Sequence, residues 1–427
     1  MRHLIQSMFV LSISLVLFSC NDKVEESWEV NQPVYLSYDQ LRNSFKVADE
    51  QDIVQSGKLY FKDNYIFVNE YLKGIHIIDN QDPSNPVILK FLEIPGNVDL
   101  AIAGNMLYAD SYVDLLTIDI SDINNIREVD RDTNIFPYII PEFETGLLGT
   151  VDESQGVIVG YEVITYTEEV DLSKEDYRYY PFWEFDFAGS VRNDMVGAPT
   201  GGGETNFGVG GSMARFTLVN GYLYAIDKSS LKLFNIANIA NPVWEKSIPI
   251  SWNIETLFPY ENKLFVGSQQ GMYIYSIQNT SNPEYISEFR HANACDPVVV
   301  EGNTAYVTLR GGNLCGAIES QLNVIDITQI ESPQLLSTYP MVEPYGMGID
   351  NGVLFVCDGE AGLKIYNATD PMNISTNQLA HYPDIHAFDV IPLGEVLLMI
   401  GIDGLYQYDY SNLENITQLS HIPVYGE

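Results

Sequence analysis

Short runs in which apolar and polar residues alternate, each broken by Asp, Asn, Ser or Pro, recur along most of the chain. Seven stretches show it: GIHIIDNQDPSNPVIL (74–89), LLTIDISDINNIREV (115–129), LKLFNIANIANPVW (231–244), MYIYSIQNTSNPEYI (272–286), LNVIDITQIESPQLL (322–336), LKIYNATDPMNIST (363–376) and LYQYDYSNLENITQL (405–419). Period-two alternation predicts a strand, the polar cluster predicts a turn, and the next apolar run starts another strand. The last polar position of the first strand is Asp79, Asp119, Asn235, Ser276, Asp326, Asn367 and Asp409 in turn, at spacings of 40, 116, 41, 50, 41 and 42. Repeats of about 40–50 residues are those of propeller blades. Ahead of the markers lie GNMLYAD, NGYLYAID, ENKLFVGS, GNTAYVTL and NGVLFVCD, a turn and a further strand each. Each unit therefore supplies four strands, an inner A, then B, C and an outer D.

The gap of 116 is too long for one unit. It holds GLLGTVDESQGVIVGYEVITYTEEVD (146–171), which alternates like a degenerate blade, and then an aromatic and Gly-rich insertion at 172–212. The expected fold is all-β, a β-propeller of four-stranded blades. Eight blades are favoured, one of them degenerate, with seven as the alternative. It spans 36–423 as a single, monomeric propeller.

Residues 1–20, MRHLIQSMFVLSISLVLFSC, join a short basic start to an apolar run ending in Leu17-Phe18-Ser19-Cys20. This resembles a bacterial lipoprotein signal peptide (1–19), with Cys20 as the lipid-bearing residue. The run is shorter than the ~20 residues that span a bilayer. A lipidated Cys20 implies stable attachment to a membrane surface through the acyl chains, with 20–35 as a tether. Asp22, Glu25 and Glu26 resemble the signal that sends Bacteroidetes lipoproteins to the outer face of the outer membrane; a solvated tether has the same composition.

The repeat units resemble the LVIVD repeat, an apolar-Asp strand followed by a Pro/Asn turn, with GIHIIDNQDPSNP the nearest match in this chain. PVYLSYDQLRNSFKV, ahead of the first unit, is similar to the lead-in of Bacteroidetes lipoproteins of that family. The resemblance runs from about Leu36 to Pro423. It implies a β-propeller at the cell envelope, an outer-membrane lipoprotein exposed at the cell surface, and brings no catalytic residue with it.

Composition then narrows the partners. The 427 residues carry 58 Asp and Glu against 21 Lys and Arg, a net charge of −37. That surface repels phosphate backbones and excludes nucleic acid as a partner. Proteins, glycans and divalent cations remain.

Propeller geometry places the D-to-A connections and B–C loops on one face. There the A-strand starts, by alignment, carry Asp99, Glu255, Asp296, Tyr345 and His386, a candidate channel-mouth ligand or metal site. Converging carboxylates suit a hard cation such as Ca²⁺, which takes six to eight oxygens. A chain this acidic also places hydrated or backbone-bonded carboxylates everywhere. No Gly-x-Ser-x-Gly elbow marks a nucleophile, and His381 and His386, five apart beside Pro383, lack zinc spacing. Cys295 and Cys315 map to one blade and form a candidate disulfide, while Cys357 reads as core. In the insertion, Tyr179, Tyr180, Phe182, Trp183 and Phe185 form a candidate partner-binding cluster, since exposed aromatics anchor proteins or stack on sugars. Two functions follow. The first is a non-enzymatic, surface-anchored propeller binding an envelope or extracellular protein or glycan. The alternative is an extracellular hydrolase or lyase acting at the acidic channel mouth.

Overall fold

The computed structural model describes residues 23–143, 145–171, 208–212, 214–290, 297–311 and 319–425. Eight sheets form, and the chain divides into two compact units. The larger unit holds seven of the sheets. Their inner strands are Leu59–Lys62, Leu100–Ala103, Phe216–Val219, Ile254–Tyr260, Val298–Glu301, Met347–Asp350 and Ala387–Pro392, which open blades one to seven. Each adjoins the next, and the last adjoins the first, so the circuit closes. Five apolar clusters lie between the blades and together cover every junction of that circuit, including the first-to-last one, where Ile66 and Val68 meet Leu398 and Ile400. The ring is thus closed by burial of apolar area, the dominant favourable contribution to folding.

The local chemistry that repeats is the C–D turn. Asp79 accepts the Gln81 N–H at 2.9 Å, Asp119 that of Ser121 at 3.0 Å, Asp326 that of Thr328 at 2.8 Å and Asp409 that of Ser411 at 2.9 Å. Asn235 and Asn367 do the same for Ala237 and Thr369. An Asx turn needs only a side-chain oxygen, so Asn replaces Asp without loss. Every C–D pair also carries a bulge, which increases the local twist. Tyrosines on the B strands tie one blade to the next: Tyr108 donates to Ile239 O at 2.8 Å and Tyr224 to Thr280 O at 2.6 Å.

Blade one is the widest, with six strands in the order Val209–Gly210, its own A to D strands, and Lys46–Asp49. Residues 53–58 join it to blade seven: Ile53 bridges Val424, and the Ser56 hydroxyl donates to Gly401 O at 2.8 Å.

The smaller unit is a three-stranded sheet in which Lys23–Leu36 pairs antiparallel with Val157–Asp171 and, at Val30 and Asn31, parallel with Leu147–Leu148. One expectation changes here. Residues 23–35 are a strand rather than a tether, as the alternation Val24, Trp28, Val30, Val34, Leu36 permits. The segment 146–171, expected as a degenerate blade, pairs with that strand and makes the eighth sheet.

Candidate functional site

Strand register identifies the residues that ring the channel. Leu59, Leu100, Phe216, Leu257, Val298, Met347 and Val390 hold the same place opposite their B strands, pairing with Val68, Ala109, Ala225, Val266, Val307, Val356 and Met399. The residue before each is Lys58, Asp99, Arg215, Thr256, Pro297, Gly346 and Asp389. Four adjacent blades therefore present Asp389, Lys58, Asp99 and Arg215, with charges alternating.

Lys58 and Asp99 form an ion pair at 2.9 Å with side chains only 6% and 4% exposed. Asp99 also accepts the N–H groups of Leu100 at 2.7 Å, Arg215 at 2.5 Å and Phe216 at 3.2 Å. Behind it, Asp110 accepts from Val98 N at 2.7 Å and Asp99 N at 2.9 Å; burial nevertheless pushes its carboxyl up to about 6. Burial also lowers the Lys58 ammonium, against the pull of Asp99. Asp389 is 1% exposed. Neither of its oxygens reaches hydrogen-bonding geometry with a partner, and the N–H groups of Val390 and Ser212 only approach it. Its carboxyl is pushed up to about 7, mainly by burial.

The chain itself crosses this ring. Val209 and Gly210 pair with Phe61 and Tyr60, and the Gly208 N–H donates to Ile102 O at 3.0 Å. The Met347 N–H donates to the Ser212 hydroxyl at 2.7 Å, and Leu257 N–H to Ala214 O at 2.8 Å. Residues 208–212 and 214 thus contact blades one, two, four and six, and Gly211 lies against Asp389 of blade seven. A Cβ on Gly211 would sit 2.0 Å from the Asp389 carboxylate, and one on Gly346 2.3 Å from it. Glycine is required at both positions by close approach. Gly211→Ala is expected to cost about 1–3 kcal/mol through overpacking, read as a lowered chemical-denaturation midpoint. An unchanged midpoint would mean that the segment does not lie against Asp389.

The sequence-derived set falls into separate groups. Asp99 belongs to the buried ring. Tyr345 and His386 come together, with ring centroids 6.2 Å apart, beside Phe388 and Glu343: the Tyr345 hydroxyl donates to Glu343 at 2.9 Å, and His386 Nε2 lies 3.7 Å from that carboxylate. The Arg310 guanidinium stacks 4.1 Å over the Tyr345 ring. Glu255 accepts from Gln269 at 3.0 Å. Among the described residues no group of three or more His, Cys, Asp or Glu is placed to hold a metal ion. Asp358 in a B–C loop is held by Val342 N, Glu343 N and Lys364, and Asp227 by Ser229 N, Ser230 N and Lys232. These loop carboxylates are turn and strand clamps. Cys357 is a buried free thiol within the core. Cys20, Tyr179, Tyr180, Phe182, Trp183, Phe185, Cys295, Asp296 and Cys315 lie outside the described residues.

Lys58, Arg215 and Asp389 belong to no motif that sequence reasoning recognises. A positional signal exists all the same: counting seven residues back from the first residue of each B strand finds all three.

No protein-family model matches this sequence, and no curated protein matches it. Solved structures do. The periplasmic gluconolactonase PpgL of Pseudomonas aeruginosa is similar at 10% identity, over 86% of this chain and 96% of that one, with a TM-score of 0.52. Saccharomyces cerevisiae Sqt1 is similar at 7% identity, over 92% and 89%, with a TM-score of 0.50. At such identities the likeness is one of fold alone, and that fold is the β-propeller.

Proposed function

We propose that this chain is a non-enzymatic, surface-anchored propeller that binds a protein or glycan of the envelope or the extracellular space. One observation carries the reading. At the head of the channel Lys58 and Asp99 pair with each other and Asp99 with backbone, Asp389 is buried, and the chain's own residues 208–212 and 214 lie across them. A hydrolase or lyase at the channel mouth needs a carboxylate within reach of substrate, and Asp99 and Asp389 are 3% and 1% exposed. The lipoprotein-like start at Cys20 and the LVIVD-like repeats supply the anchor and the outer-membrane, cell-surface location in this proposal.

The test is cross-linking on intact cells with the wild-type chain and with one lacking 172–207, read by mass spectrometry. The wild type is expected to capture an envelope partner, and the deletion to lose most of that capture if the aromatic cluster is the reader. Turnover on an ester and glycan panel that Asp296→Asn abolishes would overturn the non-enzymatic reading.

A further inference from the structure

Trp252 is 77% exposed, on the connection IPISWNIE that leads from blade three into blade four. Tryptophan is buried on average because its indole is the largest apolar side chain, so this exposure is unusual. Its neighbours along the chain are polar and hydrogen-bonded. The Asn253 amide donates to Gln269 Oε1 at 2.9 Å, and the Gln269 amide donates to Glu255 Oε1 at 3.0 Å. On the other flank the Ser251 and Tyr273 hydroxyls are 2.8 Å apart. An amide–amide–carboxylate relay holds planar donors and acceptors in one orientation, beginning at the residue that follows Trp252 in the chain.

From this we infer that the rim around Trp252 binds a neutral hexopyranose of a polysaccharide. A pyranose has one C–H-rich face and an equatorial girdle of hydroxyls. The face stacks on indole, and the hydroxyls suit the fixed amides of Asn253 and Gln269. A protein hot spot fits less well, because hot-spot tryptophans sit in well-packed, desolvated pockets, whereas Trp252 is 77% exposed between the polar chain neighbours Ser251 and Asn253. The net charge of −37 disfavours acidic polysaccharides and leaves neutral ones unopposed. This inference rests on the binding function proposed above and specifies its glycan arm.

The experiment is calorimetric titration of the purified full chain, in a detergent without sugar headgroups, with cellohexaose, laminarihexaose, mannohexaose and, for contrast, polygalacturonate. At least one neutral hexaose is expected to bind. Trp252→Ala should weaken it about tenfold or more, the scale of one lost stacking contact. Trp252→Tyr should keep most of the affinity. Trp244→Ala, which removes an indole 48% exposed on the outer strand of blade three, should change nothing. Binding that survives Trp252→Ala would overturn the site and leave glycan binding standing. Failure of every neutral hexaose, or preference for polygalacturonate, would overturn the inference, while a protein partner captured on cells would keep the broader function.

Discussion

Lys58→Met is expected to destabilise the propeller by about 3–5 kcal/mol, the cost of breaking a buried ion pair by removing one partner. The substitution keeps the length and the apolar stem and deletes only the ammonium. Asp99 then stays buried without its cation, and Asp389 on the other side of Lys58 loses the positive charge that opposes its burial. Asp99 cannot simply turn to solvent, because the N–H groups of Leu100, Arg215 and Phe216 hold it. Chemical denaturation at pH 8 measures the loss. Adding Asp99→Asn to the Lys58→Met chain should recover a large part of it, since the amide still accepts from backbone and carries no charge. A single-variant loss below about 1 kcal/mol would place the pair among solvent-exposed ion pairs and dissolve the buried ring as a structural unit.

The strand framework is readable because it rests on local chemistry. The alternation of GIHIID or LNVID is a property of neighbours, and the Asx turn at Asp79 or Asn367 closes within two residues. The channel ring is less readable because side chains alternate sides along a strand, so a slip of one residue selects the wrong face. Asp99 stands in the ring layer, but Glu255, Asp296 and Tyr345 each precede its members Thr256, Pro297 and Gly346 by one position, and His386 precedes Asp389 by three. Only the hairpin pairings fix that register. The run GVGGS (208–212) reads only as the Gly-rich end of the insertion because its composition carries no periodicity. Its actual requirement, that no side chain stand between the backbone and Asp389, is a tertiary fact. Residues 23–35 read as a tether because they follow a signal-like segment; their partner strand lies more than a hundred residues away.

Asp389→Asn should stabilise the chain at pH 8 relative to the wild type and lose that advantage on acidification. The direction follows from the carboxyl's two environments. In the unfolded chain it titrates near 3.9, and in the folded chain burial moves it to about 7. Between those pH values the folded state binds a proton that the unfolded state has released, so wild-type stability falls as pH rises. The cost is absent below about pH 4 and complete above about pH 7. At roughly 1.4 kcal/mol for each tenfold change in the carboxyl's proton affinity, it amounts to a few kcal/mol at most. Asp110, pushed up to about 6, adds a smaller slope of the same sign that Asp389→Asn leaves in place. Stability of the two chains should therefore diverge between pH 4 and 7 and run parallel above it; parallel curves throughout would mean that Asp389 is not buried as a carboxyl. The same ionisation acts on the segment that covers it. Gly211 and Ser212 lie against the carboxyl without giving it a full hydrogen bond. Charging it therefore penalises the closed arrangement, and opening of 208–212 relieves that penalty by admitting water. Hydrogen exchange at Gly210–Ser212 should accordingly quicken past pH 7 beyond its intrinsic rate in the wild type, and follow the intrinsic rate in Asp389→Asn.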